Sequence, residues 1–131
     1  MSAGPSAAEV REFVACVATH RYDDTLAFYT DVLGGVVSRP AVDGVAFKHA
    51  VVAIGAGFVE VLEYPPERVL DVNGAVSIVL GVDDVQAWHD ALSAMGIEIA
   101  FPMVEMAEHR FTFAVLDPNG VRVSFFTVNG S

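Results

Sequence analysis

The sequence predicts an α+β fold in which two βαβββ modules place curved mixed sheets around a cleft. Three observations carry that expectation. Each half of the 131-residue chain runs through the same order, one apolar period-two segment, one helical-period segment and three more extended segments. A shift of sixty residues places Asp24 on Asp84, Ala27 on Ala87 and Phe28 on Trp88, the cap and one stripe of each helix. A βαβββ unit covers one face of its sheet and leaves the other bare, so it needs a second unit to complete a core. The chain therefore reads as one domain, 1–131, with module one at about 12–65, module two at about 74–128 and a linker from about Pro65 to Gly74.

Phe13 to Thr19, FVACVAT, is a short β-rich run and the first strand. From Asp24 to Leu33 the spacing turns helical, with Leu26, Tyr29, Val32 and Leu33 on one stripe, an Asp as cap and Gly34-Gly35 as stop. Extended segments follow at Val36 to Arg39, Val45 to Ile54 and Phe58 to Tyr64, the last two joined as a hairpin through Gly55-Ala56-Gly57. Pro65-Pro66 ends the run. In module two the expected elements are a strand at Ala75 to Val82, a helix at Asp83 to Met95 stopped by Gly96, and a strand at Ile97 to Phe101. A hairpin of Arg110 to Leu116 with Val121 to Val128 closes the module. Asp117-Pro118-Asn119-Gly120 between the last two is a type I turn signal.

Composition removes several function classes. Seventeen Asp and Glu against seven Lys and Arg give a net charge of -10, which argues against nucleic acid and against an anionic membrane surface, since both attract cationic proteins. The longest apolar stretch, Ala50 to Val59, is broken by two glycines and is far below the ~20 residues a membrane span needs. Cys16 is the single cysteine, so no disulfide framework holds the fold. The start, MSAGPSAAE, has no basic or apolar signal region and reads as a disordered lead-in to a cytoplasmic protein. A small domain that is 53% apolar has more apolar surface than an ordinary core absorbs. A ligand cleft and a homodimer seam are the expected outlets.

The segments DTLAFYTDVLG (24–34), FVEVL (58–62), VDDVQAW (82–88) and DPNGVRVSF (117–125) resemble the vicinal oxygen chelate superfamily, which includes glyoxalases, bleomycin-resistance proteins, fosfomycin-resistance enzymes, extradiol dioxygenases and methylmalonyl-CoA epimerase. The likeness spans residues 12–128 and implies the glyoxalase/bleomycin-resistance fold. In metal-dependent members, side chains from the first and last strands of both modules hold a divalent ion. The positions that match are Val14, Glu60, Ser77 and Ser124. Valine offers no donor and neutral serine a poor one, so the expectation is a divergent member with no metal and no cofactor.

Glu60 is the leading catalytic or anchoring candidate. Along its strand it shares a face with Phe58 and Leu62. Desolvation in an apolar cleft is what prepares a carboxylate for general acid or base work, with a hydrogen bond to Ser77, Ser124, Tyr64 or Arg122 as the plainer alternative. His49, in phase with Phe47 and Val51, is a second titrating candidate. Val14, Cys16, Phe58, Leu62, Ser77, Ser124 and Phe126 are the expected ligand-binding residues, with Cys16 read as a small buried hydrophobe and Phe58 and Phe126 as apolar walls. Trp88 is read as helix-to-sheet packing, and Arg110 and Arg122 as partners of Glu105, Glu108 or a ligand anion.

The function these residues favour is metal-independent binding of a hydrophobic or aromatic small molecule, metabolite or antibiotic, of the bleomycin-resistance type. The alternative is a metal-free isomerase, lyase, cyclase or hydrolase with Glu60 as general acid or base. A metal-dependent glyoxalase, epimerase or dioxygenase ranks third and a structural or regulatory partner module fourth. Whether the modules pair within one chain or between chains stays open.

Overall fold

The computed structural model describes residues 6–40, 48–70 and 76–128. Module one runs β1 (Val14–Thr19), α1 (Tyr22–Ala27), β2 (Val36–Arg39), β3 (His49–Ile54) and β4 (Gly57–Glu63); module two runs β5 (Ile78–Val82), α2 (Val85–Ala94), β6 (Phe101–Ala107), β7 (Arg110–Leu116) and β8 (Arg122–Thr127). Sheet A has the order β1-β4-β3-β2 and sheet B the order β5-β8-β7-β6. In both, the first strand lies parallel to the last and the other pairs are antiparallel. The duplication read from the sequence is thus a duplication of topology. An exposed ion pair between Arg39 on one edge of sheet A and Glu12, just ahead of the opposite edge strand, fits a curved sheet.

Period-two alternation sorts each sheet into a covered and an open face. Val17, Val52, Val59 and Val61 from sheet A join Phe113, Val115, Val123 and Phe125 from sheet B, with Tyr29, Val85 and Leu92 from the helical segments, in one core. The helices and both covered faces share that core, so the open faces lie on its outside. On the module-two side the core is an aromatic stack. The Trp88 ring lies 5.1 Å from Phe125, Phe125 lies 4.9 Å from Phe113, and His89 meets Phe113 edge-on at 5.3 Å. Each such pair contributes about 0.5–1.5 kcal/mol beyond its buried area. Trp88 is the helix-to-sheet anchor the sequence predicts.

Several boundaries differ from expectation. Helix one begins at Tyr22 rather than Asp24, and its initial amide is capped through Thr19, whose Oγ1 accepts from the Arg21 N–H at 2.7 Å. After Ala27 it widens into a π turn, Phe28–Val32, with the Leu33 N–H reaching the Phe28 carbonyl at 3.0 Å. Thr30 contributes by donating its hydroxyl back to the Leu26 carbonyl at 2.9 Å, a bond that bends helices. The wider turn buries both Phe28 and Tyr29. Gly34, at φ +80, then caps it in the left-handed region. At Gly35 a Cβ would lie 2.4 Å from Val52 Cγ1 and 2.7 Å from the Tyr29 carbonyl, so the helix exit packs on β3 only with glycine there. In module two, α2 is shorter than expected and Asp84 caps it through the Ala87 N–H at 2.9 Å.

The strand expected at Ile97 to Phe101 is instead an irregular link. Ile97 and Ile99 turn toward the core, and the strand begins only at Phe101, running to Ala107. Residues 7–9, read as part of a disordered lead-in, form a 3-10 turn, and the Glu9 carboxylate accepts from the Ser6 N–H at 3.0 Å. Phe47, the start of the Val45 strand, Ala75 and much of the 65–74 linker fall outside the described residues. No helix among the described residues is long and apolar enough to cross a membrane.

The two modules are fastened by the Asp117–Gly120 turn, which the sequence predicts and which forms with the Gly120 N–H on the Asp117 carbonyl at 3.0 Å. Three side chains close a ring. Thr19 donates to Asn119 Oδ1 at 2.6 Å, Asn119 Nδ2 donates to Thr25 at 3.0 Å, and the Thr25 hydroxyl completes the ring to Thr19 at 3.1 Å. Buried Tyr29 donates to Asp117 Oδ2 at 2.9 Å, and Asp117 Oδ1 accepts from the Asn119 and Val121 amides. Burial, reinforced by the adjacent Asp117 carboxylate, pushes the Tyr29 phenol far above its ordinary range and keeps it a donor. Asn119→Ala removes two of the three bonds of the ring and leaves the Thr19–Thr25 pair, and it is expected to lower the unfolding free energy by about 1–3 kcal/mol, read from urea denaturation.

Candidate functional site

The open face of sheet A gathers most of the residues singled out from the sequence. Cys16 stands directly across from Glu60, with Val14 across from Phe58 on one side and Ala18 across from Leu62 on the other. From the other flank Val51 faces Glu60 and His49 faces Leu62. Glu60 therefore sits at the centre of an apolar surface, and its near neighbours are not the serines, Tyr64 or Arg122. His49 Nδ1 lies 3.9 Å from Glu60 Oε2, and Cys16 stands beside the same carboxylate on the neighbouring strand. In a single chain the Glu60 side chain keeps 32% of its surface and His49 keeps 43%.

Cys16 is exposed rather than the buried hydrophobe the sequence suggested, because its strand turns it to the open face. Its immediate surroundings still hold it protonated. Partial desolvation, then the adjacent Glu60 carboxylate, push the thiol from 9.0 up to about 11. A thiol so held has about a hundredfold less thiolate at neutral pH and is a hydrogen-bond donor, not a nucleophile. Because the folded value is raised, the linked stability is present below the unfolded pKa and is lost as pH rises through the window from 9 toward about 11. Glu60→Gln removes the charge but not the desolvation. The pH profile of Cys16 alkylation by iodoacetamide should therefore move to lower pH in that variant and stop short of the profile for unfolded chain.

The open face of sheet B repeats the geometry with other side chains. Ser124 occupies the place of Glu60 in the last strand, between Val79 of β5 and Ala114 of β7, and Phe126 faces Gly81. Ser77 stands just ahead of β5. The Phe126 ring lies over Gly81, where an added Cβ would come within 2.9 Å of Phe126 Cζ and of Val128 Cγ1. These are far ends of flexible side chains. Gly81→Ala is thus expected to cost under about 1 kcal/mol in thermal unfolding while displacing the Phe126 ring, visible as changed aromatic chemical shifts.

The structure does not bring the two open faces into one cleft within a chain. Among the described residues no hydrogen bond or ion pair joins Glu60 to Ser77 or Ser124. Cavities of about 370, 290 and 380 Å³ open beside Asp117 at the module junction, beside Asp84 at the start of α2, and beside Lys48, and none has Glu60, Cys16 or Ser124 in its wall. The sequence leaves this open because face assignment follows from local alternation, whereas which face meets which is a long-range property.

At the four positions that hold a metal in this fold, the donors are one carboxylate and two neutral hydroxyls, with Val14 supplying none. The described residues contain no group of three or more His, Cys, Asp or Glu placed to hold a metal ion. Cys16 and His49 flank Glu60 from opposite strands and do not complete a set. This donor set does not fit a resident divalent ion, which takes three or four protein ligands.

Comparison with known proteins agrees with the fold. The sequence profile of the Glyoxalase/Bleomycin resistance protein/Dioxygenase superfamily matches residues 13–125, and the chain belongs to that family. Among solved structures, TioX from Micromonospora sp. is similar at 20% identity and TM-score 0.70, covering 90% of this chain and 98% of that one. A glyoxalase/bleomycin resistance protein from Catenulispora acidiphila matches at 24% identity and TM-score 0.67 with the same coverage. Lactoylglutathione lyase from Agrobacterium tumefaciens matches at 16% identity and TM-score 0.66, covering 94% and 96%. At these identities the likeness shows the fold alone. No curated protein matches the sequence significantly.

Proposed function

We propose that the protein binds a hydrophobic or aromatic small molecule, a metabolite or an antibiotic, without a metal ion. The observation that carries this reading is the open face of sheet A, where Glu60 is the lone carboxylate of the four ligand positions and is set among Val14, Val51, Phe58 and Leu62. Apolar walls with one oriented polar group suit capture of an apolar ligand. They do not suit chelation.

The same reading makes the working unit a cytoplasmic homodimer. Val79 is 56% exposed and Leu116 44% on the open face of sheet B, apolar side chains that a second copy would cover. Laying sheet A of one copy against sheet B of the other sets Glu60 opposite Ser124 and yields two equivalent clefts. A second reading has its own support. His49 and the Cys16 thiol both bear on the Glu60 carboxylate, an arrangement a proton-transferring isomerase, lyase, cyclase or hydrolase also needs.

The neutral probe phenylnaphthylamine is expected to bind saturably to a species that sediments as a dimer, in a ratio of one per chain. A monomer with no saturable binding contradicts the proposal. Glu60→Gln separates the two readings: if a small carbonyl or epoxide substrate is turned over and this variant abolishes turnover with probe affinity unchanged, the enzyme reading replaces the binding one.

A further inference from the structure

Arg122 shares the phase of Ser124 and Phe126 on β8 and stands across from Leu116 of β7. Its guanidinium reaches over β7 and lies on the Phe101 ring of β6, 5.2 Å from the ring centre. Phe101 faces the same way, because it pairs with Ala114, which in turn pairs with Ser124. An exposed cation on a ring gains about 0.5–1 kcal/mol, enough to orient the planar fork and too little to satisfy its charge.

Among the described residues that charge has no carboxylate partner. The ion pairs of the described residues use Arg21, Arg39, His49, His89 and His109. None joins Arg122 to Glu105 or Glu108, so the pairing expected from the sequence does not form among the described residues. In a chain with ten more acidic than basic side chains, a guanidinium is left unneutralised on an apolar face. One step along the strand is the half-buried hydroxyl of Ser124. Sheet A shows the opposite arrangement, since its Arg39 is neutralised by Glu12 and its central charge is the Glu60 carboxylate. Arg110, in phase with Thr112, stands at the far end of β7 next to the hairpin turn.

We propose that Arg122 and Ser124 form a subsite for the acidic group of an aromatic ligand, a carboxylate, sulfonate or phosphate, with the ring of the ligand against Phe126. The inference rests on the proposed role of the open faces as ligand-binding surfaces and names the chemical class they take. A guanidinium presents paired donors that match the two oxygens of such a group. The Phe101 ring holds that fork in place before the ligand arrives, and the serine hydroxyl supplies a third donor.

Two probes of one skeleton test it, anilinonaphthalene sulfonate and neutral phenylnaphthylamine, titrated by fluorescence against the full-length protein. The sulfonate is expected to bind more tightly than the neutral probe. Arg122→Gln should weaken the sulfonate about tenfold and the neutral probe less than about twofold, with an unchanged melting temperature. Phe101→Leu, which keeps the charge and removes its platform, should weaken the sulfonate by a smaller factor. Equal loss of both probes in Arg122→Gln, or no loss of either, overturns the subsite while leaving the small-molecule reading intact. If wild-type protein binds neither probe, that reading falls and the subsite falls with it.

Discussion

The Asp117–Gly120 turn seats against the end of β1 and the start of α1, and the way the two sheets face follows from that contact. The ring of Thr19, Thr25 and Asn119, together with the Tyr29 hydrogen bond to Asp117, brings side chains about a hundred positions apart into mutual satisfaction. Each bond is worth only about 0.5–1.5 kcal/mol net. Yet the groups involved are buried or half-buried, and leaving one unpaired costs more than the bond itself returns. The turn therefore fixes one relation between the modules, helices and covered faces inward. Both open faces must then look outward.

From that constraint the chemistry of the surface follows by alternation. Odd and even positions of β4 part ways: Val59 and Val61 enter the core, while Phe58, Glu60 and Leu62 form the open face. On β8 the same rule buries Val123 and Phe125 and presents Arg122, Ser124 and Phe126. The two faces are alike in shape and opposite in charge, a carboxylate at the centre of one and a guanidinium on the other. The proposed dimer would set them together as two unlike walls of one cleft. Duplication supplies the frame, and a few outward-facing residues set the two faces apart.

Much of the fold was legible because its signals are local. Period-two patterning located β1, β2, β4, β7 and β8 to within a residue or two, the Asp-Pro-Asn-Gly turn formed as read, and Asp84 capped α2 as expected. The π turn at Phe28–Val32 was not legible, because Leu26, Val32 and Leu33 fit an ordinary helical stripe and only tertiary packing of Phe28 and Tyr29 selects the wider turn. Ile97 and Ile99 mimic a strand by alternation, but the core claims both from an irregular link and displaces β6 toward Ala107. At the site, alternation assigns Phe58, Glu60 and Leu62 to one face, and they stand on the open face of sheet A beside Val14. The exposure of Cys16 and the stacking of Arg122 on Phe101 depend on neighbouring strands that no local pattern names.

The central claim is that this member of the glyoxalase and bleomycin-resistance family works with one carboxylate where its fold can hold a metal. Elemental analysis of the purified protein, with thermal melting before and after chelator treatment, addresses it most directly. The account predicts no stoichiometric divalent metal and an unchanged melting temperature. A bound nickel, zinc, manganese or iron ion at one per chain, with a melting temperature that falls on its removal, would contradict it.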